Sequence, residues 1–165
     1  MRLIMTLFSA FIVICLSCAC SLEANDHYRG QVISVQDGDT ITVRTEDFEQ
    51  LRVRFYGIDC PEKKQAYGDE AKNYLYGLVY GKTVDLEVVD IDRYSRYVAI
   101  VRLGDVIINV VMVREGYAWL YEAYCKEPNL CNLITQAENE AKSQNKGLWQ
   151  DTSPLEPWNY RRGNR

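Results

Sequence analysis

The side chains that could do chemistry fall into three short stretches of the 165-residue chain. DGDT carries Asp37 and Asp39, VRFYGIDCPE carries Arg54, Asp59 and Glu62, and DRYSRY carries Arg96. Two carboxylates, a backbone carbonyl and waters make a site for a hard divalent cation such as calcium. Guanidinium groups bind phosphate bidentately and stay charged at any working pH. A cation, two arginines and a nearby glutamate are the parts needed to hydrolyse a phosphodiester. Metal and arginines would offset charge building on phosphorus. Glu62 would take a proton from the attacking water. Each stretch also has a plain reading: DGDT is a turn, and DCPE stops a strand because proline cannot continue the ladder.

The elements around these residues are strands first. QVISVQ places Ile33 and Val35 on one face, and TITVRT places Ile41 and Val43 on one face. Asp37-Gly38 between them is a hairpin signal. LRVRFYGI turns Leu51, Val53 and Phe55 inward, and Arg52, Arg54 and Tyr56 outward. In such a meander the start of one strand lies beside the end of the next, so Asp39 and Asp59 converge. Arg54 and Asp59 have opposite parity and would face opposite ways on a regular strand. The strand must therefore twist or bulge, and Gly57 is the expected place.

A helix comes next, with Ala71, Tyr74, Leu75, Leu78 and Val79 at helical spacing, Asp69 as its cap and Gly81 as its stop. Two more strands, TVDLEVV and YVAIVRL, flank the turn that holds Arg96. Asn109 is expected to cap a short helix, and a last helix runs to Lys146-Gly147. The pattern predicts an α+β, mainly β fold: a five-stranded OB-fold barrel with three helices. The domain spans 27–150, and 151–165 reads as a tail lying on the surface.

Residues 1–19 read as a signal peptide, with an apolar run too short for a membrane span of roughly 20 residues. Cleavage before Cys20 would leave a candidate lipidation site, so the chain is expected to be exported and either free or lipid-anchored. Losing the leader removes one cation, Arg2, and moves the formal net charge from −4 to −5. Bulk charge therefore does not attract a polyanion, and nucleic-acid contact needs local arginines. Cys125 and Cys131 flank the loop CKEPNLC and are the natural disulfide pair in an exported chain, two buried thiols being the alternative. A single histidine, His27, excludes any mechanism that needs two.

Six pieces in order, DGDT, VRFYGIDCPE, GDEAKNYL, DRYSRYVAIV, INVVMVREGYAWL and a helix ending in KGLW, resemble the staphylococcal (micrococcal) nuclease family over residues 28–150. The resemblance implies a calcium-dependent endonuclease on DNA and RNA, with single strands preferred, that leaves 3′-phosphates and acts as a monomer. It implies Asp39, Asp59 and the backbone carbonyl of Cys60 as calcium ligands, with Asp37 behind them. It implies Arg54 and Arg96 on the phosphate, and Glu62 positioning or deprotonating water. Tyr94 and Arg93 would lie near a terminal phosphate, and Tyr121 or Tyr124 beside the base. YSR stands in place of the more usual YGR, which matters only if Ser95 needs positive φ. The competing class is a non-catalytic OB-fold module that binds nucleic acid or protein at the cell envelope. The intact acidic and arginine set favours the enzyme.

Overall fold

The alternating runs form the expected barrel in a computed structural model that describes residues 26–163. The leader, Cys20 and the other cysteines before it lie outside the described residues. Five long strands build the barrel: β1 (Asp26–Val35), β2 (Thr40–Thr45), β3 (Gln50–Phe55), β5 (Thr83–Ile91) and β6 (Tyr97–Leu103). Their order is β3-β2-β1-β5-β6, and a parallel pairing of β3 with β6 closes the ring. Closure removes the free edges that an open sheet would expose. Short strands β4 (Ile58–Asp59), β7 (Val106–Ile107) and β8 (Trp119–Leu120) complete the set.

Inward alternation fills the barrel with Val32, Ile41, Val43, Val53, Phe55, Leu86, Ala99 and Val101. Two expected positions differ. In β1 it is Val32, not Ile33, that is fully buried, because the β1–β2 register shifts between Val32 and Ser34. A bulge there reverses the facing of the strand beyond it and returns Val35 to the interior. Tyr56 is buried rather than outward, because β3 ends at Phe55. Its hydroxyl accepts from the N–H groups of Lys126 and Glu127, which hooks the disulfide loop onto the barrel.

Four α-helices pack outside, one more than expected: α1 (Gly68–Val79), α2 (Ile108–Arg114), α3 (Pro128–Ser143) and α4 (Pro157–Gly163). Helix α1 buries Ala71, Leu75 and Val79, and α3 buries Leu130, Ile134, Ala137 and Ala141, as the spacing requires. The expected caps have other uses. Tyr67 precedes α1 with no side-chain cap, while Asp69 lies in the first turn. Asn109 is inside α2 and fully buried; it accepts from the N–H of Val101 and donates to the carbonyls of Tyr56 and Ala99. It ties α2 to β6 and to the end of β3. Among the described residues no helix is long and apolar enough to cross a membrane.

Candidate active site

The β1–β2 hairpin delivers the first carboxylate. The Asp37 side chain accepts from the N–H of Asp39 at 3.1 Å, an Asx turn that fixes the start of β2. Asp39 is 5% exposed, and its backbone carbonyl accepts from the N–H of Phe55. One carboxylate oxygen accepts from the N–H of Cys60 at 2.7 Å, and the other from the Thr40 hydroxyl at 3.2 Å. The DCPE backbone is thus bound directly to the DGDT carboxylate.

Gly57 resolves the parity of Arg54 and Asp59. Its φ is +75°, a left-handed value that glycine adopts at low cost, and the chain reverses there between β3 and β4. A Cβ at Gly57 would meet Cys125 Sγ at 2.9 Å and Ile134 Cδ1 at 3.3 Å, so packing also demands glycine. The reversal returns Asp59, 1% exposed, to the Arg54 side chain. Arg54 Nη2 donates to Asp59 Oδ1 at 2.6 Å and to the carbonyl of Ile58 at 3.3 Å. Arg54 Nη1 forms an ion pair with Asp39 Oδ1. One guanidinium therefore spans both buried carboxylates, which could not remain ionised in a dry site without cations.

Glu62 is placed by the turn that leads into α1. Its N–H donates to Gln65 Oε1 and its carbonyl accepts from the N–H of Gln65. Gly68 presses so closely on the Glu62 carbonyl that a Cβ would overlap it. The Glu62 side chain stays 40% exposed, open to water.

Arg96 is elsewhere. Its Nε and Nη2 bind Asp92 Oδ2 at 2.8 and 2.7 Å, and its N–H donates to Asp92 Oδ1. Burial pushes the Asp92 carboxyl up, but hydrogen bonds from Arg96 and Tyr94 and the Arg96 charge outweigh it, and the group lies below its ordinary 3.8. Arg54 pairs with Val98 across β3–β6, and Arg96 lies two residues before Val98, just ahead of β6. Arg93 and Arg96 both lie over the Tyr94 ring, at 4.9 and 5.5 Å from its centroid. Ser95 has a φ of +58°, the strained value that glycine would relieve.

Cys60 and the tyrosines fall into place around this centre. The Cys60 side chain is buried beside Gly38, and the backbone N–H of Cys60 binds Asp39. Burial pushes its thiol well up, against a downward pull from Arg54. Cys125 and Cys131 form the disulfide. The N–H of Tyr121 donates to the carbonyl of Gly57, and its ring lies 4.6 Å from that of Tyr124. The expected base-side tyrosines therefore flank the same reversal that aims Asp59.

The sequence reading missed Arg161. Within the surface tail expected over 151–165, residues 157–163 form helix α4, and Arg161 reaches into the site. Its Nη2 binds Asp59 Oδ2 at 2.7 Å, while Nη1 binds Glu62 Oε1 at 2.7 Å and Asp59 Oδ1 at 3.3 Å. Burial pulls down the pKa of this guanidinium, but the bonds to Asp59 and Glu62 raise it overall. Pro157 ahead of WNYRR was the available signal, since proline favours the first position of a helix. Nothing in the local sequence tells that Arg161 meets residues about 100 positions earlier.

The oxygens gathered here suit a hard cation. Among the described residues, no three His, Cys, Asp or Glu side chains form a metal-binding group. Asp39 and Asp59 are the carboxylates that could hold such a cation, with other positions left to backbone oxygen, water and phosphate. Two buried carboxylates paired with guanidinium groups fit that use, since ionised carboxylates present acceptors alone.

The profile of staphylococcal nuclease homologues matches residues 52–151. The chain is 38% identical over 156 residues to an uncharacterized endonuclease of Haemophilus influenzae, covering 94% of this chain and 84% of that one. It is 43% identical over 133 residues to an uncharacterized endonuclease of Escherichia coli, covering 80% and 84%. It is 35% identical over 156 residues to a micrococcal nuclease of Shigella flexneri, covering 88% and 87%.

Proposed function

This chain belongs to the staphylococcal nuclease family, and from that premise we propose that it is an exported, calcium-dependent endonuclease. Its substrates are DNA and RNA, single strands preferred, and its products carry 3′-phosphates. The observation that carries the proposal is the bridge made by Arg54 between the buried carboxylates of Asp39 and Asp59. Two buried carboxylates, one from the β1–β2 turn and one from β4, brought onto one arginine, are costly unless the site uses them.

In this reading Asp39, Asp59 and the Cys60 carbonyl would hold calcium, which would supply positive charge to offset that building on phosphorus. Arg54, a rigid fork, binds a non-bridging phosphate oxygen while keeping the two aspartates in place. Glu62, exposed at 40%, orients water and accepts its proton. Arg96 approaches from the β5–β6 turn; Asp92 engages Nε and Nη2, and the remaining Nη1 is offered to phosphate. Tyr94 and Arg93 border that end, and Tyr121 and Tyr124 stack a base without reading its identity. The Cys125–Cys131 bond supports an oxidising, extracytoplasmic setting. A lipid on Cys20 would attach the domain to a membrane surface.

The test is to incubate mature protein with a single-stranded oligonucleotide in calcium or in chelator, and to identify the new ends. Cleavage only in calcium, leaving 3′-phosphates, is expected. Calcium-independent cleavage overturns the metal reading. No cleavage under any divalent cation favours the non-catalytic binding module.

A further inference from the structure

Helix α4 occupies two parts of the candidate site at once. Arg161 spends both terminal nitrogens on Asp59 and Glu62, the oxygens that a cation and an attacking water would need. Trp158, one turn earlier, lies flat on Tyr121, with ring centroids 5.0 Å apart and an interplanar angle of 6°. That is the stack a nucleobase would make on the same ring. The segment is moored beside them, since the Tyr160 hydroxyl donates to the Lys64 carbonyl and Gln65 Nε2 donates to the Leu155 carbonyl. Gln65 also holds the N–H of Glu62, so the mooring and the candidate base share a residue.

We propose that α4 is a built-in occupant of the active site: Arg161 stands in for the cation and Trp158 for the base, and calcium and nucleic acid must displace both. The inference rests on the calcium-nuclease reading. Charge supports it. Asp39, Asp59 and Glu62 against Arg54 leave two negative charges, the complement of a divalent ion, and Arg161 cancels one of them. Arg161 binds oxygens of both Asp59 and Glu62, and a carboxylate engaged by a charged donor is a poorer acceptor for anything else. Exchange is feasible because Arg161 is 38% exposed and makes these contacts from a helix of seven residues.

The full mature chain should be titrated with calcium by calorimetry as wild type, Arg161→Gln and Arg161→Lys. The same three proteins should then be assayed on a single-stranded oligonucleotide across calcium concentrations. Arg161→Gln should bind calcium about tenfold more tightly, the effect of losing one partly exposed charged competitor. Its half-activating calcium should fall by a similar factor, with the rate at saturating calcium unchanged. Arg161→Lys keeps the charge and should stay near wild type. Equal calcium affinity in all three would overturn the proposal. So would unchanged affinity with a collapsed rate at saturation in Arg161→Gln, which would make Arg161 a phosphate ligand. If neither wild type nor variant takes up calcium, the calcium reading fails, and the occupant falls with it.

Discussion

Gly57→Ala should cost about 2–5 kcal/mol of stability, and two separate terms make up that figure. The first is backbone strain. Gly57 has φ +75°, and a non-glycine residue there loses about 1–2 kcal/mol. The second is space. A new Cβ would stand 2.9 Å from Cys125 Sγ and 3.3 Å from Ile134 Cδ1. Cys125 is held by its disulfide and Ile134 is fully buried, so neither yields freely. Overpacking of this kind costs about 1–3 kcal/mol. Gly81 provides the control, because its φ is +74° and nothing lies within 4 Å of its would-be Cβ. Gly81→Ala should therefore show the strain term alone. Urea unfolding of both variants, with the disulfide intact, separates the terms: the two midpoints should differ by about 1–2 M. Coincident midpoints would refute the claim that β3 and β4 join through a turn packed on the disulfide. A cost below about 0.5 kcal/mol at Gly57 would refute the left-handed turn itself.

Three further outcomes are expected from the same geometry. Asp92→Asn should lose about 1–2 kcal/mol at pH 7, because Arg96 loses its charged partner. The folded-state pKa of Asp92 is depressed, so its contribution is present above 3.8 and disappears as pH falls through the lower folded value; a wild-type advantage that persists undiminished at pH 2 would contradict this. Ser95→Gly should stabilise the chain by about 0.5–1 kcal/mol in chemical denaturation, since relief at φ +58° exceeds the entropy that glycine adds; a loss of stability would count against it. Cys60 should resist an aromatic disulfide reagent at pH 8 in the folded protein and react on unfolding, because burial suppresses the thiolate; rapid labelling of the folded chain would show that the thiol faces the site.

The barrel was legible in the sequence because period-2 alternation and the Asp37-Gly38 turn are local signals. Ile41, Val43, Leu51, Val53 and Phe55 all face inward as that period requires. Where the period breaks, the reading slipped: a bulge gave the core Val32 in place of Ile33, and the end of β3 buried Tyr56. Parity alone pointed to Gly57 as the place where Asp59 turns back to Arg54. Asn109 has a capping residue's chemistry, yet its amide is used across the fold, by three backbone groups that no local pattern brings near. Arg161 was hidden for the same reason. Its partners are distant in sequence, and a basic, tryptophan-bearing end looks like a solvated tail until α4 folds onto Tyr121.

The most direct measurement is the initial rate of single-stranded oligonucleotide hydrolysis at saturating calcium for wild type and Glu62→Gln. Glu62 is 40% exposed, so the variant should melt close to wild type. The Glu62→Gln rate should be lower by about 10²–10⁴, the usual worth of a positioned general base. Equal rates in two equally folded proteins would contradict it.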